Sequence, residues 1–425
     1  MTRLLLIAGL LATCAIPASA DNWPQWRGPK NDGHSTETGL PTEWSADKNV
    51  VWKVKLPGDG SSTPVIWGDK IFLTAPSGDD IVLLCLSTAD GKEKWRDKLS
   101  NTGQNRKTAE KTTDASASCS TDGKHVWSYV GGQTVGRITC HTVDGKLVWE
   151  KNVQDYGKLS IAFGSHWTPV LYKGVLYQQV MHQKAQLLVA YEAETGKEIW
   201  KVNRPGYSKG ESPDVYTSAF IWEGEGGPLL VSHGNDFCTG HKLADGAEVW
   251  RVQGLNPKSS GAWRFISCPM LSPDLIVVPS CKDGPTVAFN PVGAKGDITP
   301  ENKAELWRLP SSTTFRTPDV VTPIRVGDVV YLSGDGPLWA LDAKTGKQLY
   351  RETLSSGKHR GNMVVADGKI YVPSSTGAVD VVQAGKEFKK LATNKLPDTI
   401  YASPAVSNGR IYIRGYEYLW AIGTK

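Results

Sequence analysis

Ala340-Leu341-Asp342-Ala343-Lys344-Thr345-Gly346-Lys347-Gln348-Leu349-Tyr350 reads as a strand end, a Thr-Gly-Lys turn and a second strand closed by an aromatic ring. The same order recurs at Asp90-Gly91-Lys92-Glu93-Lys94-Trp95, Asp144-Gly145-Lys146-Leu147-Val148-Trp149, Thr195-Gly196-Lys197-Glu198-Ile199-Trp200 and Asp245-Gly246-Ala247-Glu248-Val249-Trp250. A degenerate copy, interrupted by an insertion, ends at Leu306-Trp307. The copies recur at intervals of roughly 45 to 55 residues, a period that marks a repeat architecture.

Working outward from the turn, each unit shows further shared parts. A start of Ser/Thr-Pro type stands at Thr63-Pro64, Thr168-Pro169, Thr322-Pro323 and Ser403-Pro404, with Cys268-Pro269 in the same place. Proline as the first residue of a strand removes no ladder hydrogen bond. A tight turn and an alternating strand follow, as in Asp367-Gly368-Lys369-Ile370-Tyr371-Val372 and Asn408-Gly409-Arg410-Ile411-Tyr412-Ile413. Asp-Gly and Asn-Gly between apolar runs signal hairpins. Four antiparallel strands per unit at this period make a β-propeller blade. Starts near Thr63, Ser118, Thr168, Thr217, Ser267, Thr322, Met363 and Ser403 predict eight blades in an all-β fold over residues 50–425. The last copy stops after Leu419-Trp420-Ala421-Ile422, one strand short. An orphan strand, Val50 to Leu56, carries Trp52 in the fourth-strand position and is expected to complete that blade. Closing the ring this way leaves no open edge.

These repeats, best seen in Ala340 to Lys347 and Tyr191 to Trp200, resemble pyrroloquinoline-quinone (PQQ) repeats. The resemblance covers about residues 50–425 and implies an eight-bladed propeller. Such repeats occur in quinoprotein alcohol dehydrogenases and in the non-enzymatic BamB-type lipoprotein of outer-membrane β-barrel assembly. The opening Trp23-Pro24-Gln25-Trp26-Arg27-Gly28-Pro29 is similar to the start of secreted bacterial proteins called PQQ-binding-like or BamB-like. The dehydrogenases place a ring of two adjacent cysteines over the quinone and use a Glu/Asn/Asp calcium set, a catalytic Asp and a Trp under the quinone. This chain has no Cys-Cys dipeptide, and no motif maps onto that set. The repeat name therefore does not carry the cofactor with it, and neither PQQ nor Ca²⁺ is expected.

The rest of the sequence narrows the function classes. Lys plus Arg is 48 against 43 for Asp plus Glu, a net charge of +5 that is too weak for a nucleic-acid binder. Charged residues at 21% and hydrophobic ones at 40% argue against disorder, and Gly 44, Pro 25 and Trp 16 lean all-β. Residues 1–20 read as a secretory signal, with Arg3, an apolar run and the small-residue site Ala18-Ser19-Ala20. Lipidation at Cys14 is the rival reading. No later apolar run reaches the ~18 residues of a membrane span. Residues 21–49 form an N-terminal extension, and the mature protein is expected to be a periplasmic or secreted monomer.

Catalytic templates are missing: there is no G-x-S-x-G, H-E-x-x-H or EF-hand loop, and the Gly-Lys turns lack the P-loop arrangement. The repeated Trp reads as blade-to-blade packing. Cys85 and Cys140 occupy the place of Ala190, Ala340 and Ala421 and read as small buried residues. Cys268 and Cys281 flank one hairpin, where a disulfide is one option. His125 and His141 read as core or edge residues rather than metal ligands, and Asn290 to Glu305 as an exposed loop. One constellation remains. The connections between blades converge on one face and bring together Asp114, Ser165-His166-Trp167, Glu211 to Tyr216, Trp263-Arg264-Phe265, Phe315-Arg316-Thr317, His359-Arg360 and Tyr401. Arginine beside aromatics on converging loops suits recognition of a carboxylate, phosphate or sugar. His166, Arg264, Arg316, His359 and Arg360 are the candidate contacts for an envelope protein or a polysaccharide. A non-catalytic scaffold is the expected function, and a PQQ-dependent dehydrogenase is the alternative.

Overall fold

The computed structural model describes residues 21–101, 115–132, 135–159, 161, 163–281 and 283–424. The expected signal sequence, Cys14 and Asp114 lie outside the described residues. Eight antiparallel sheets follow one another along the chain. Their first strands are Val65–Trp67, Ser120–Thr121, Val170–Tyr172, Phe220–Trp222, Met270–Ser272, Ile324–Val326, Val364–Ala366 and Ala405–Ser407, which open blades 1 to 8. The first strands face the axis, and Ala405–Ser407 of blade 8 touches Val65–Trp67 of blade 1. Val50–Lys55 pairs antiparallel with Tyr418–Ile422, Trp52 lying opposite Ala421, so one sheet holds both ends of the ring.

The repeated motif is a docking device. In register, the aromatic of each fourth strand faces a small residue of the third: Trp95 opposite Cys85, Trp149 opposite Cys140, Trp200 opposite Ala190, Tyr350 opposite Ala340. Larger side chains there would collide with the indole. The indole N–H then donates to a turn carbonyl of the following blade, as with Trp95 to Val143 (3.0 Å), Trp149 to Ala193 (2.9 Å), Trp200 to Leu243 (2.9 Å) and Trp307 to Ala343 (2.9 Å). Beside that carbonyl lies the turn glycine. At Gly346, φ is +69° and a Cβ would sit 2.7 Å from the Trp307 ring, so backbone and neighbour both demand glycine.

The joint between blades 4 and 5 departs from this pattern, and corrects one expectation. The insertion after Asn290 does not stay a loop. Its Gly296–Ile298 pairs in parallel with Glu248–Val252, adding a fifth strand to blade 4. The outer edge of that blade offers unpaired backbone groups, and the inserted segment satisfies them while burying Ile298. Trp250 meets no repeat turn here; its ring packs edge-on against Phe289 at 4.9 Å. The Cys268–Cys281 disulfide is not formed: Cys268 is a buried thiol, its pKa pushed up to about 12 by burial. No helix among the described residues is long and apolar enough to cross a membrane.

Candidate functional site

A second interblade link lines the axis. At six joints the residue two positions before a first strand donates its backbone N–H to the side chain of its counterpart in the next blade. The pairs are Thr63 to Ser118 (2.9 Å), Ser118 to Thr168 (3.1 Å), Thr168 to Ser218 (2.9 Å), Cys268 to Thr322 (3.3 Å), Thr322 to Asn362 (2.7 Å) and Asn362 to Ser403 (3.0 Å). The sequence showed the Ser/Thr-Pro starts, but the hydroxyl serves as a clasp between blades. Most buried polar groups in folded proteins are paired in such ways. Arg414, fully buried, ties blade 8 to blade 1 by donating to the carbonyls of Ser62 (3.0 Å) and Thr74 (2.8 Å).

The two ends of the axis differ. Residues 22–49 run over the face that carries the turns between first and second strands. Trp23 exchanges backbone hydrogen bonds with Ile66, Pro24 accepts from Thr121, and Gly33 and Ser35 pair with Val365. The Glu37 carboxylate accepts from the Asn408 and Gly409 amides. At the centre, Trp26 stacks on Phe220 (5.8 Å), and the buried Arg27 donates to the carbonyls of Asp32 (2.9 Å) and Pro323 (3.4 Å). Burial lowers the Arg27 pKa to about 10, so it stays charged at neutral pH. Sequence reasoning missed this strap. Its signal was present in two tryptophans and an arginine lying ahead of the first repeat.

At the other end, the interblade loops surround a cup of about 400 Å³ whose lining includes Trp26, Phe163, His166, Tyr216, Arg264 and Arg360. Tyr401 lines it too, edge-on to Tyr416 at 5.1 Å. The Arg264 guanidinium lies 4.6 Å from the centre of the Phe163 ring, and Phe163 meets Tyr216 edge-on. Arg264 is only loosely paired with Glu211, at 3.6 Å. Arg360 is held by both oxygens of Asp335 (2.5 and 3.3 Å) and by the His359 carbonyl (3.0 Å). His166 Nε2 lies 2.8 Å from the Phe163 carbonyl. A carbonyl can only accept, so Nε2 carries the proton. Burial lowers the His166 pKa to about 4, and Nδ1 is then a bare acceptor at neutral pH.

Three of the five sequence-predicted contacts therefore share the cup: His166, Arg264 and Arg360. Arg316 stands exposed outside it and pairs with Asp283 at 3.3 Å. His359 is buried behind it, its Nδ1 bonded to the Pro373 carbonyl at 2.9 Å. Among the described residues no group of three or more His, Cys, Asp or Glu is placed to hold a metal ion.

Fold and cup define an eight-bladed propeller of PQQ-like repeats, strapped across one end of its axis. The chain belongs to the family described as outer membrane protein assembly factor BamB, which matches residues 35–126, 134–293 and 238–424. No curated protein matches it. Among solved structures, BamB from Moraxella catarrhalis superposes with a TM-score of 0.59 at 14% identity, covering 88% of this chain and 97% of that one. Quinohemoprotein alcohol dehydrogenase from Comamonas testosteroni gives 0.65 at 13% identity, over 95% and 81%. The computationally designed Ika8 protein gives 0.59 at 10%, over 88% and 100%. At such identities the likeness is one of fold, and function rests on the site.

Proposed function

We propose that the protein is a non-catalytic scaffold of the bacterial envelope, exported across the inner membrane, whose cup face holds an envelope protein or an extracytoplasmic polymer. The observation that carries this reading is the convergence of His166, Arg264 and Arg360 with aromatic rings at the one end of the axis left uncovered by the strap. A closed ring is rigid, so its loops present a surface at little ordering cost. A role like that named for the BamB family, in outer-membrane protein assembly, is consistent with this reading.

The second reading, a PQQ-dependent dehydrogenase, draws on the similarity to quinohemoprotein alcohol dehydrogenases. Among the described residues lining the cup Asp319 is the single carboxylate, which speaks against a calcium set for a bound quinone. The test mixes purified protein with PQQ and Ca²⁺, follows quinone absorbance and measures alcohol-dependent dye reduction. The scaffold reading expects neither a shift nor turnover. Tight binding with turnover would establish the dehydrogenase reading instead.

A further inference from the structure

Several hydrogen-bond donors of the cup lack partners. Thr63 Oγ1, Arg264 Nε and Arg360 Nε are buried polar atoms with no hydrogen-bond partner among the described residues, and all three residues line the cup. Thr168, Ser218 and Ser403 also line it, and each hydroxyl oxygen already accepts a backbone N–H from the neighbouring blade. Each therefore has its own O–H proton left to donate. His166 Nδ1 and the Tyr216 hydroxyl, also unpartnered among the described residues, and the exposed Asp319 can accept. Buried donors left without partners are costly, so the matching ligand is rich in acceptor oxygens.

The two arginines divide the work. Arg360 is neutralised by the paired oxygens of Asp335, so it contributes an N–H rather than a charge. Arg264 meets its carboxylate only at 3.6 Å and lies on an aromatic ring, so its charge remains available. One uncommitted cation implies one anionic group on the ligand. Trp26 and Tyr401 line the cup, and aromatic rings are surfaces against which the C–H face of a pyranose can pack. His166 Nδ1 and Asp319 suit the hydroxyl donors of the same ring. The size fits one or two sugar units rather than a folded domain, since ligand pockets of ~300–1,000 Å³ hold small molecules.

We propose that the cup takes an acidic sugar unit, a hexuronic acid at the end of a polysaccharide, with its carboxylate on Arg264 and its ring on Trp26. This rests on the reading of the cup as the binding face. It also commits the partner at that face to a polymer rather than a protein.

Calorimetric titration of the purified full chain with D-galacturonate and its short oligomers, with D-galactose and with benzoate tests it. Uronate is expected to bind at least tenfold more tightly than galactose or benzoate. Arg264→Gln is expected to abolish the preference for uronate over galactose, and Tyr401→Ala to weaken both sugars. Trp26 also packs the strap, so circular dichroism must show each variant folded. Equal binding of uronate and galactose, tighter binding of benzoate, or no sugar binding at all would overturn the proposal. If sugars fail while capture of an envelope protein still depends on Arg264, the sugar assignment falls and the scaffold reading stands.

Discussion

The propeller axis has two ends, each with an arginine that keeps one nitrogen unpartnered among the described residues, and they use it differently. At the strapped end, Arg27 is 3% exposed, donates to two carbonyls and holds residues 22–49 against the ring. At the cup end, Arg264 is partly exposed and loosely paired, and its Nε has no hydrogen-bond partner among the described residues. Both are arginines that follow a tryptophan in the chain. One is spent on the fold; the other is left over. Stability should therefore concentrate at the first end and recognition at the second.

The largest effect should come from deleting residues 50–56. That removes the strand paired with Tyr418–Ile422, leaving an open edge. Loss of cooperative unfolding and aggregation are expected in a denaturant titration. Next comes the pair of arginines. Arg27→Ala empties a buried site and removes its hydrogen bonds to the Asp32 and Pro323 carbonyls, and should cost about 2–4 kcal/mol. Arg264→Ala loses one loose ion pair and one ring contact and should cost less than about 1 kcal/mol. Equal losses of stability in chemical denaturation would erase the distinction between the ends.

At the rim, Gly346→Ala should cost about 1–3 kcal/mol, because its φ of +69° is strained for alanine and the Trp307 ring stands 2.7 Å from the added carbon. Gly293, also at φ +69° but with nothing within 4 Å, should lose less on the same change, the backbone strain alone. Thermal melts of the two variants separate strain from docking.

Acid sensitivity is a separate effect that appears only below neutral pH. Burial lowers His166, His182 and His241 to about 4 and His233 to about 3. Their unfolded pKa is ~6.5, so between those values the unfolded chain binds more protons than the native one. Stability should be complete above about pH 6.5 and fall progressively toward pH 4. Melting temperatures that stay flat over this window would contradict the neutral histidines assigned to the interior.

The sequence displays the blades because repetition multiplies a weak signal. One Thr-Gly-Lys turn is ambiguous, whereas the same turn before an aromatic at Trp95, Trp149, Trp200 and Tyr350 specifies both turn and dock. The small residues opposite the rings, Cys85 and Cys140 among them, were legible for the same reason. The strap was not, since Trp23 to Pro29 occurs once and its partners, from Ile66 to Pro323, are scattered over several blades. The fate of Asn290 to Glu305 was hidden too, because pairing of Gly296–Ile298 depends on an edge presented by another blade. Within the site, convergence could be read from topology, but depth could not. Arg316 and Arg360 follow aligned loops, yet one stands in solvent and the other lines the cup.

The claim that the cup end is the working face is tested most directly by capture from envelope extract. The native protein, an Arg264→Ala/Arg360→Ala variant and an Arg325→Ala variant, which breaks an ion pair with Asp274 far from the cup lining, are immobilised after each is shown to be folded. Bound protein and polysaccharide are both quantified. The account expects native and Arg325→Ala to retain the same partner and the cup variant to lose it. Equal capture by all three would contradict the assignment of recognition to the cup.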